Sequence, residues 1–247
     1  MSDNFFYKFR SISRYLIESI VTPSIYFSKP AELNDPFDCQ LNIKSLFGDK
    51  RFSTDKRLIN VKENFKVLRF LNDTSSLPGF SEHGIFCVSK SNVVDKNEPL
   101  MWSHYADQHK GVRLKYNEPT LLQSLPVCTS FTDVFYDSDN KFIEFLLESD
   151  KSDYEFYSEF CSRYLSVKHP AWEYEQEFRF FRPQFGTFKI DPACLVEVCF
   201  GLNTPKEDIK LLMEYASKHC GCKAFKKKIR GNGLFDSDEE DVADCHL

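Results

Sequence analysis

The sequence predicts an α+β domain built on mixed or antiparallel sheets, with helical insertions. Segments of strand period and of helix period are interleaved without regular βαβ alternation, which argues against a doubly wound fold. Three strands crowd together late in the chain, at Gln176–Phe181, Thr187–Ile190 and Leu195–Phe200. At 42% hydrophobic and 15% aromatic, the 247 residues supply one sizeable core. One domain is expected over residues 1–235, followed by an acidic tail over 236–247.

The elements follow in order. Phe5–Arg10 alternates and reads as a strand. Ser11–Ile20 places Ile12, Leu16, Ile17 and Ile20 at helical spacing. Ser24–Ser28 is a second strand, stopped by Lys29-Pro30. Asn34-Asp35-Pro36-Phe37-Asp38 reads as a turn, because Asp before Pro disfavours helix. Thr54–Asn72 has the pattern of a helix, residues 73–83 of a loop, and Gly84–Lys90 of a strand. A short helix from Glu98 to Asp107 carries Met-Trp-Ser-His-Tyr. Gly111–Tyr116 and Val127–Tyr136 read as strands, and Asn140–Val167 as helix with a break at Ser149–Asp153. Thr204-Pro205-Lys206-Glu207 has the form of a capped helix start, with Thr as cap and Glu completing a capping box. Lys223–Ile229 is a final short strand.

Composition narrows the function. The net charge is −5, and residues 236–244 carry six acids and no base. Such a tail is expected to be solvated and disordered. Lys226-Lys227-Lys228 reads first as an edge strand guarded by lysines, and second as a phosphate-contacting patch. No apolar run is long enough to span a membrane, and the first ten residues lack a signal-peptide pattern. The nine cysteines are odd in number and scattered, which fits a reducing cytoplasm. No G-x-G-x-x-G, Walker A loop, G-x-S-x-G elbow or H-E-x-x-H occurs. Cys220-Gly221-Cys222 lacks a second pair at finger spacing, so no metal site is expected.

The most informative segment is Trp172-Glu173-Tyr174-Glu175-Gln176-Glu177-Phe178-Arg179. If extended from Glu173, it puts Glu173, Glu175, Glu177 and Arg179 on one face. Neighbouring carboxylates then lie about 6.6 Å apart. At an effective dielectric near 20 they repel by about 2.5 kcal/mol; in open water by about 0.6. A solvated strand face tolerates that arrangement. A cleft uses it, since paired carboxylates divide labour in glycosyl transfer.

Tyr7-Lys8-Phe9-Arg10, Ile25-Tyr26-Phe27-Ser28, Asn34-Asp35-Pro36-Phe37-Asp38, Met101-Trp102-Ser103-His104-Tyr105, Trp172-x-x-Glu175-x-Glu177-x-Arg179 and Phe200-Gly201 form a set. As a set, the chain resembles a widespread uncharacterised bacterial family linked to phage defence. The order Arg10, Ser28, Glu175-x-Glu177 also resembles the Arg-Ser-Glu plan of ADP-ribosyltransferases. That second resemblance implies two sheets enclosing a cleft that binds NAD. Glu177 would hold the ribose and face the developing charge, and Glu175 would act as general base on the acceptor. Arg10 would pair with pyrophosphate, while Ser28 and Ser89 compete for the serine role. Tyr7, Asn34, His104 and Tyr105 are the further cofactor-binding candidates.

The expected activity is NAD-dependent transfer of ADP-ribose to a macromolecule (RNA, DNA or protein) by a toxin or anti-phage effector, with an antitoxin as partner. NAD is the substrate, and the expected setting is the cytoplasm. A regulatory interaction module without catalysis and a metal-dependent nuclease using Asp35, Asp38, Glu175 and Glu177 are the other readings.

Overall fold

The computed structural model describes residues 4–39, 50, 54, 82–91, 97–136, 163, 165–229 and 237–242. The helix expected over 54–72, the loop over 73–83 and the helix over 140–167 lie outside these residues apart from 54, 82–83, 163 and 165–167, and Val167 opens a strand rather than ending a helix. Twelve strands are described: β1 Phe5–Arg10, β2 Ser24–Phe27, β3 Gly84–Lys90, β4 Val112–Asn117, β5 Ser130–Asp133, β6 Phe135–Tyr136, β7 Val167–Lys168, β8 Glu177–Arg182, β9 Gly186–Lys189, β10 Leu195–Phe200, β11 Lys223–Ile229 and β12 Ser237–Asp241. The described α-helices are α1 Arg14–Val21, α2 Glu98–Tyr105, α3 Glu118–Ser124 and α4 Lys206–Cys220.

Eight strands make one sheet in the order β12-β11-β10-β4-β1-β3-β8-β5. Its pairs are antiparallel except β10 with β11, which are parallel. A parallel pair needs a crossover, and α4 supplies it. β2 pairs with β9, and β6 with β7, in two small sheets. The architecture is therefore mixed α+β around one large mixed sheet.

Alternation along β1 divides the core. Phe6 points into a cluster with Leu16 and Ile20 of α1, Ile209, Leu212 and Ala216 of α4, and Phe86 and Phe180 of neighbouring strands. Tyr7 and Phe9 point the other way, onto Met101 and Trp102 of α2. Phe9 and Trp102 meet edge to face at 5.2 Å. α1 starts where the Ser13 side chain accepts from the Leu16 N–H. α2 ends in three successive left-handed residues, Asp107, Gln108 and His109, with φ of 45°, 54° and 69°. Gly201 packs against this turn so closely that a Cβ there would lie 2.1 Å from the His109 carbonyl oxygen.

Several expectations change. Thr204 does not cap α4; its hydroxyl donates to the Gly111 carbonyl at 3.0 Å, and no side chain caps the helix. Glu173 is not on a strand, because Pro170–Glu175 forms a 3₁₀ helix that ends at left-handed Gln176. The acidic segment is not wholly a solvated tail, since Ser237–Asp241 pairs along β11. β11 is consequently no edge strand: Lys227 is buried between Glu98 and Glu239, at 2.7 and 3.0 Å. Charge complementarity explains the docking, because Glu239, Glu240 and Asp238 stand opposite Lys227, Lys226 and Lys228. Cys220 and Cys222 are free, with Gly221 as the left-handed end of α4. Burial pushes their thiols up to about 11 and about 12. No described helix is long and apolar enough to cross a membrane.

Candidate active site

The site begins with a fork in the sheet. Six residue pairs tie β1 to β4. Only Phe6–Lys90 and Tyr7–Ser89 tie it to β3, so beyond Tyr7 the two strands part. The backbone groups they release need partners. Ser28, just past β2, donates its N–H to the Ile85 carbonyl at 2.9 Å and accepts from the Ile85 N–H at 2.8 Å. The Lys8 ammonium donates to the Cys87 carbonyl at 2.6 Å. A cleft of about 250 Å³ lies between the parted strands. Tyr7, Lys8 and Phe9 line it from β1, and Cys87, Val88 and Ser89 from β3. Side chains from both faces of the sheet meet there.

Glu175 and Glu177 reach this cleft from different elements. Pro170 sets the first turn of the 3₁₀ helix, and His169 caps it by accepting from the Ala171 N–H. Gln176, at φ 45°, then reverses the chain so that Glu177 opens β8. The Glu177 N–H donates to the Tyr136 hydroxyl at 2.7 Å, fixing that strand start. Both carboxylates accept from one ammonium, Lys168 of β7, at 2.5 Å for Glu175 and 3.0 Å for Glu177. The parallel pairing of β7 with β6 places Lys168 beside Tyr136.

Arg179 closes the network. Its Nε donates to Glu177 at 2.8 Å, and its fork grips Asp38 at 2.9 and 2.6 Å. A further bond goes to the Leu165 carbonyl at 2.7 Å. Asp38, Lys168, Glu175, Glu177 and Arg179 are all buried. With every group ionised, three carboxylates face two cations, and the cluster carries −1.

The environment splits the two glutamates. Burial opposes ionisation of Glu177, but Arg179 and Lys168 overcome it and hold its carboxyl well below the usual range. Burial raises Glu175, and the Glu177 charge adds to the effect while Lys168 works against it. The Tyr105 hydroxyl, at the end of α2, donates to Glu175 and accepts from the Asn34 amide at 3.0 Å. Burial and the adjacent Glu175 charge push the Tyr105 phenol up, so it stays a donor. Two carboxylates in one cleft with opposed protonation tendencies suit an acid–base division of labour.

The cleft gathers most of the sequence candidates and leaves two outside. Glu175, Glu177, Tyr7, Ser28, Asn34 and Tyr105 line it. Ser89 lines it as well, so both serine candidates are present. Arg10 lies instead in an adjoining chamber. His104 is exposed and does not line either chamber; its ring lies 6.1 Å from that of Tyr174. Asp35 serves a turn, accepting from the Phe37 N–H at 2.9 Å. Asp38, Glu175 and Glu177 do converge, but on Lys168 and Arg179. No cluster of three or more metal ligands occurs among the described residues.

Lys168 belongs to none of the sequence motifs, and Lys8 occurs in the Tyr7-Lys8-Phe9-Arg10 motif without a site role. Lys168 ends β7 and Glu175 ends the 3₁₀ helix that follows it, seven residues on, so no strand or helix period links them. Lys8 is legible in one respect, as a lysine flanked by aromatic residues on β1.

A model of the family described as DUF2971, protein of unknown function, matches residues 101–180. Over that span the chain is similar to this family, and Tyr105, Lys168, Glu175, Glu177 and Arg179 all fall within it. No curated protein matches the chain. No solved structure matches it either.

Proposed function

We propose that the protein is an NAD-dependent ADP-ribosyltransferase acting on a macromolecule, as a bacterial toxin or anti-phage effector. The observation that carries this reading is the pair Glu175 and Glu177, held in one forked-sheet cleft with opposite protonation tendencies. In such a transfer the bond between nicotinamide and ribose C1′ breaks, and nicotinamide leaves with the electron pair. Positive charge builds on the ribose. The ionised Glu177 lies where a carboxylate in a water-poor cleft stabilises that charge. The cluster's −1 charge acts in the same direction.

Glu175 would serve as general base. The acceptor oxygen or nitrogen attacks C1′, and its proton passes to Glu175. A carboxylate whose affinity for protons is raised is the better base for that step. Tyr105 and Lys168 hold Glu175 in place through its two oxygens. Tyr7 and Asn34 also line the cleft, where a nucleotide would contact them.

The test is incubation of purified protein with labelled NAD and cell extract, beside the Glu177→Gln variant. Samples are divided between protease and nuclease before counting. Label that remains in protein or nucleic acid with the wild type, and not with the variant, supports the reading and names the acceptor class. Folded protein that neither labels a macromolecule nor consumes NAD overturns it.

A further inference from the structure

Away from the cleft, three places from β1 in the large sheet, β11 borders a second buried charge cluster. Arg113 of β4 and Lys227 of β11 have side chains only 2% and 7% exposed. Glu98 of α2 accepts from both, with Lys227 at 2.7 Å. Glu197 of β10 accepts from Arg113 at 2.7 Å and from Lys115 at 3.2 Å. These five residues come from β4, β10, β11 and α2, so the pocket is built without β12. It sets three cations against two carboxylates. An uncompensated charge in the interior is costly, and the pocket therefore calls for one more anion. Glu239 of β12 supplies it, at 2.9 Å from Arg113 and 3.0 Å from Lys227.

Beyond that clasp, β12 is held by backbone pairing from Ser237 to Asp241 and by a half-exposed pair, Lys228 with Glu240 at 3.3 Å, which contributes little. Val242, just past the strand, joins the core cluster that contains Ile209 and Leu212 of α4. The docking edge thus asks for two side chains: a carboxylate between Arg113 and Lys227, and an apolar group three residues later. Strand addition reads peptides in this way, with the backbone giving affinity and particular side chains giving specificity. The resident strand meets both requirements but forms strand poorly, since Asp238 to Asp241 are four consecutive acids.

We infer that the β11 edge is an interaction surface for an acidic, extended segment of a partner protein, which pairs with β11 in place of β12 and sets a carboxylate between Arg113 and Lys227. A segment that keeps this carboxylate but flanks it with β-branched residues pairs better than the resident strand. That gain offsets the advantage β12 draws from its seven-residue tether over 230–236. A second copy of the chain brings the same poor strand former without the tether, so it gains nothing. A nucleic acid brings phosphates but neither the backbone ladder nor the apolar anchor. The inference is independent of the transferase reading.

The experiment titrates the full chain with a labelled nine-residue peptide of residues 236–244 carrying Asp238→Thr and Glu240→Val, read by fluorescence anisotropy. A second peptide carries Glu239→Gln in addition. The wild-type chain should bind the first about fivefold more tightly than the second. A chain carrying Glu239→Gln, whose own strand is weakened, should bind the first peptide about fivefold more tightly than the wild type does. Lys227→Met, checked for folding by circular dichroism, should erase the difference between the peptides. Hydrogen exchange locates the event: with the first peptide, amides 237–241 of the chain should exchange faster while 223–229 stay protected. No binding, equal binding of the two peptides by the wild type, or binding that leaves 237–241 protected overturns the inference. Release of 237–241 by oligothymidylate but not by peptide also overturns it and assigns the edge to nucleic acid. A dimer that forms without taking up peptide overturns it in favour of a second copy.

Discussion

Glu177 shows how a single residue joins stability to chemistry. It accepts from Arg179 and Lys168, so Glu177→Gln weakens two charge-assisted contacts as well as any catalysis. Arg179 keeps Asp38 and the Leu165 carbonyl, which limits the damage. We expect a loss of about 1–3 kcal/mol by urea unfolding, together with loss of NAD-dependent labelling. Tyr105→Phe tests Glu175. It removes a donor that favours the ionised carboxylate, so the acidic limb of the pH–rate profile should move to higher pH. In the wild type that limb should already lie above the ordinary carboxylate range, because the working base form is lost as pH falls through a raised value. A limb that does not move in Tyr105→Phe would separate Tyr105 from the base. These two glutamates were legible in the sequence from their spacing. Their shared cation was not, since Lys168 arrives from a different strand.

At the scale of elements, the strand and helix periods located β1, β3, β10 and β11 to the residue, because apolar alternation and turn signals bound them. The 3₁₀ helix before β8 escaped. A run of alternating Glu and aromatic residues satisfies a strand pattern, and only the left-handed Gln176 separates the turn from the strand. β12 escaped for the opposite reason: acidic residues have low strand propensity, and the basic strand beside them is what orders them. Its clasp is Glu239, which reaches Arg113 at 2.9 Å and Lys227 at 3.0 Å. Glu239→Gln should cost about 1 kcal/mol in denaturant unfolding. The cost should persist in 1 M salt, because Arg113 and Lys227 are buried and poorly screened. Arg179→Met is the harsher change. It leaves Asp38, Glu175 and Glu177 in the interior with Lys168 alone among these cations and should cost about 3–5 kcal/mol, or prevent folding.

Over the whole molecule, the mixed α+β class was readable from composition and interleaved periods, while the fork between β1 and β3 was not. Register is a property of pairs of strands, and no single strand carries the signal that two pairings will be followed by a gap. The fork makes the buried charges depend on the whole sheet, and acid stability should report it. Glu177 has a lowered pKa, so its stabilisation is complete above the ordinary carboxylate range and is lost as pH falls below it. Glu175 has the opposite sign: its cost appears as pH rises through its raised value. The unfolding temperature should therefore peak between these two regions, and Glu177→Gln should flatten the acid side of the peak.

The clasp at β12 has a consequence for the order in which the protein is made. Arg113, Lys115 and Lys227 are answered by Glu98, Glu197 and Glu239, three charges against three. Glu239 is the last of the six to leave the ribosome. Between the emergence of Lys227 and that of Glu239, these groups hold one surplus positive charge beside α2, the helix whose Tyr105 touches Glu175. A growing chain should thus resist proteases in two stages, with the second arriving only after residue 239 has cleared the exit tunnel.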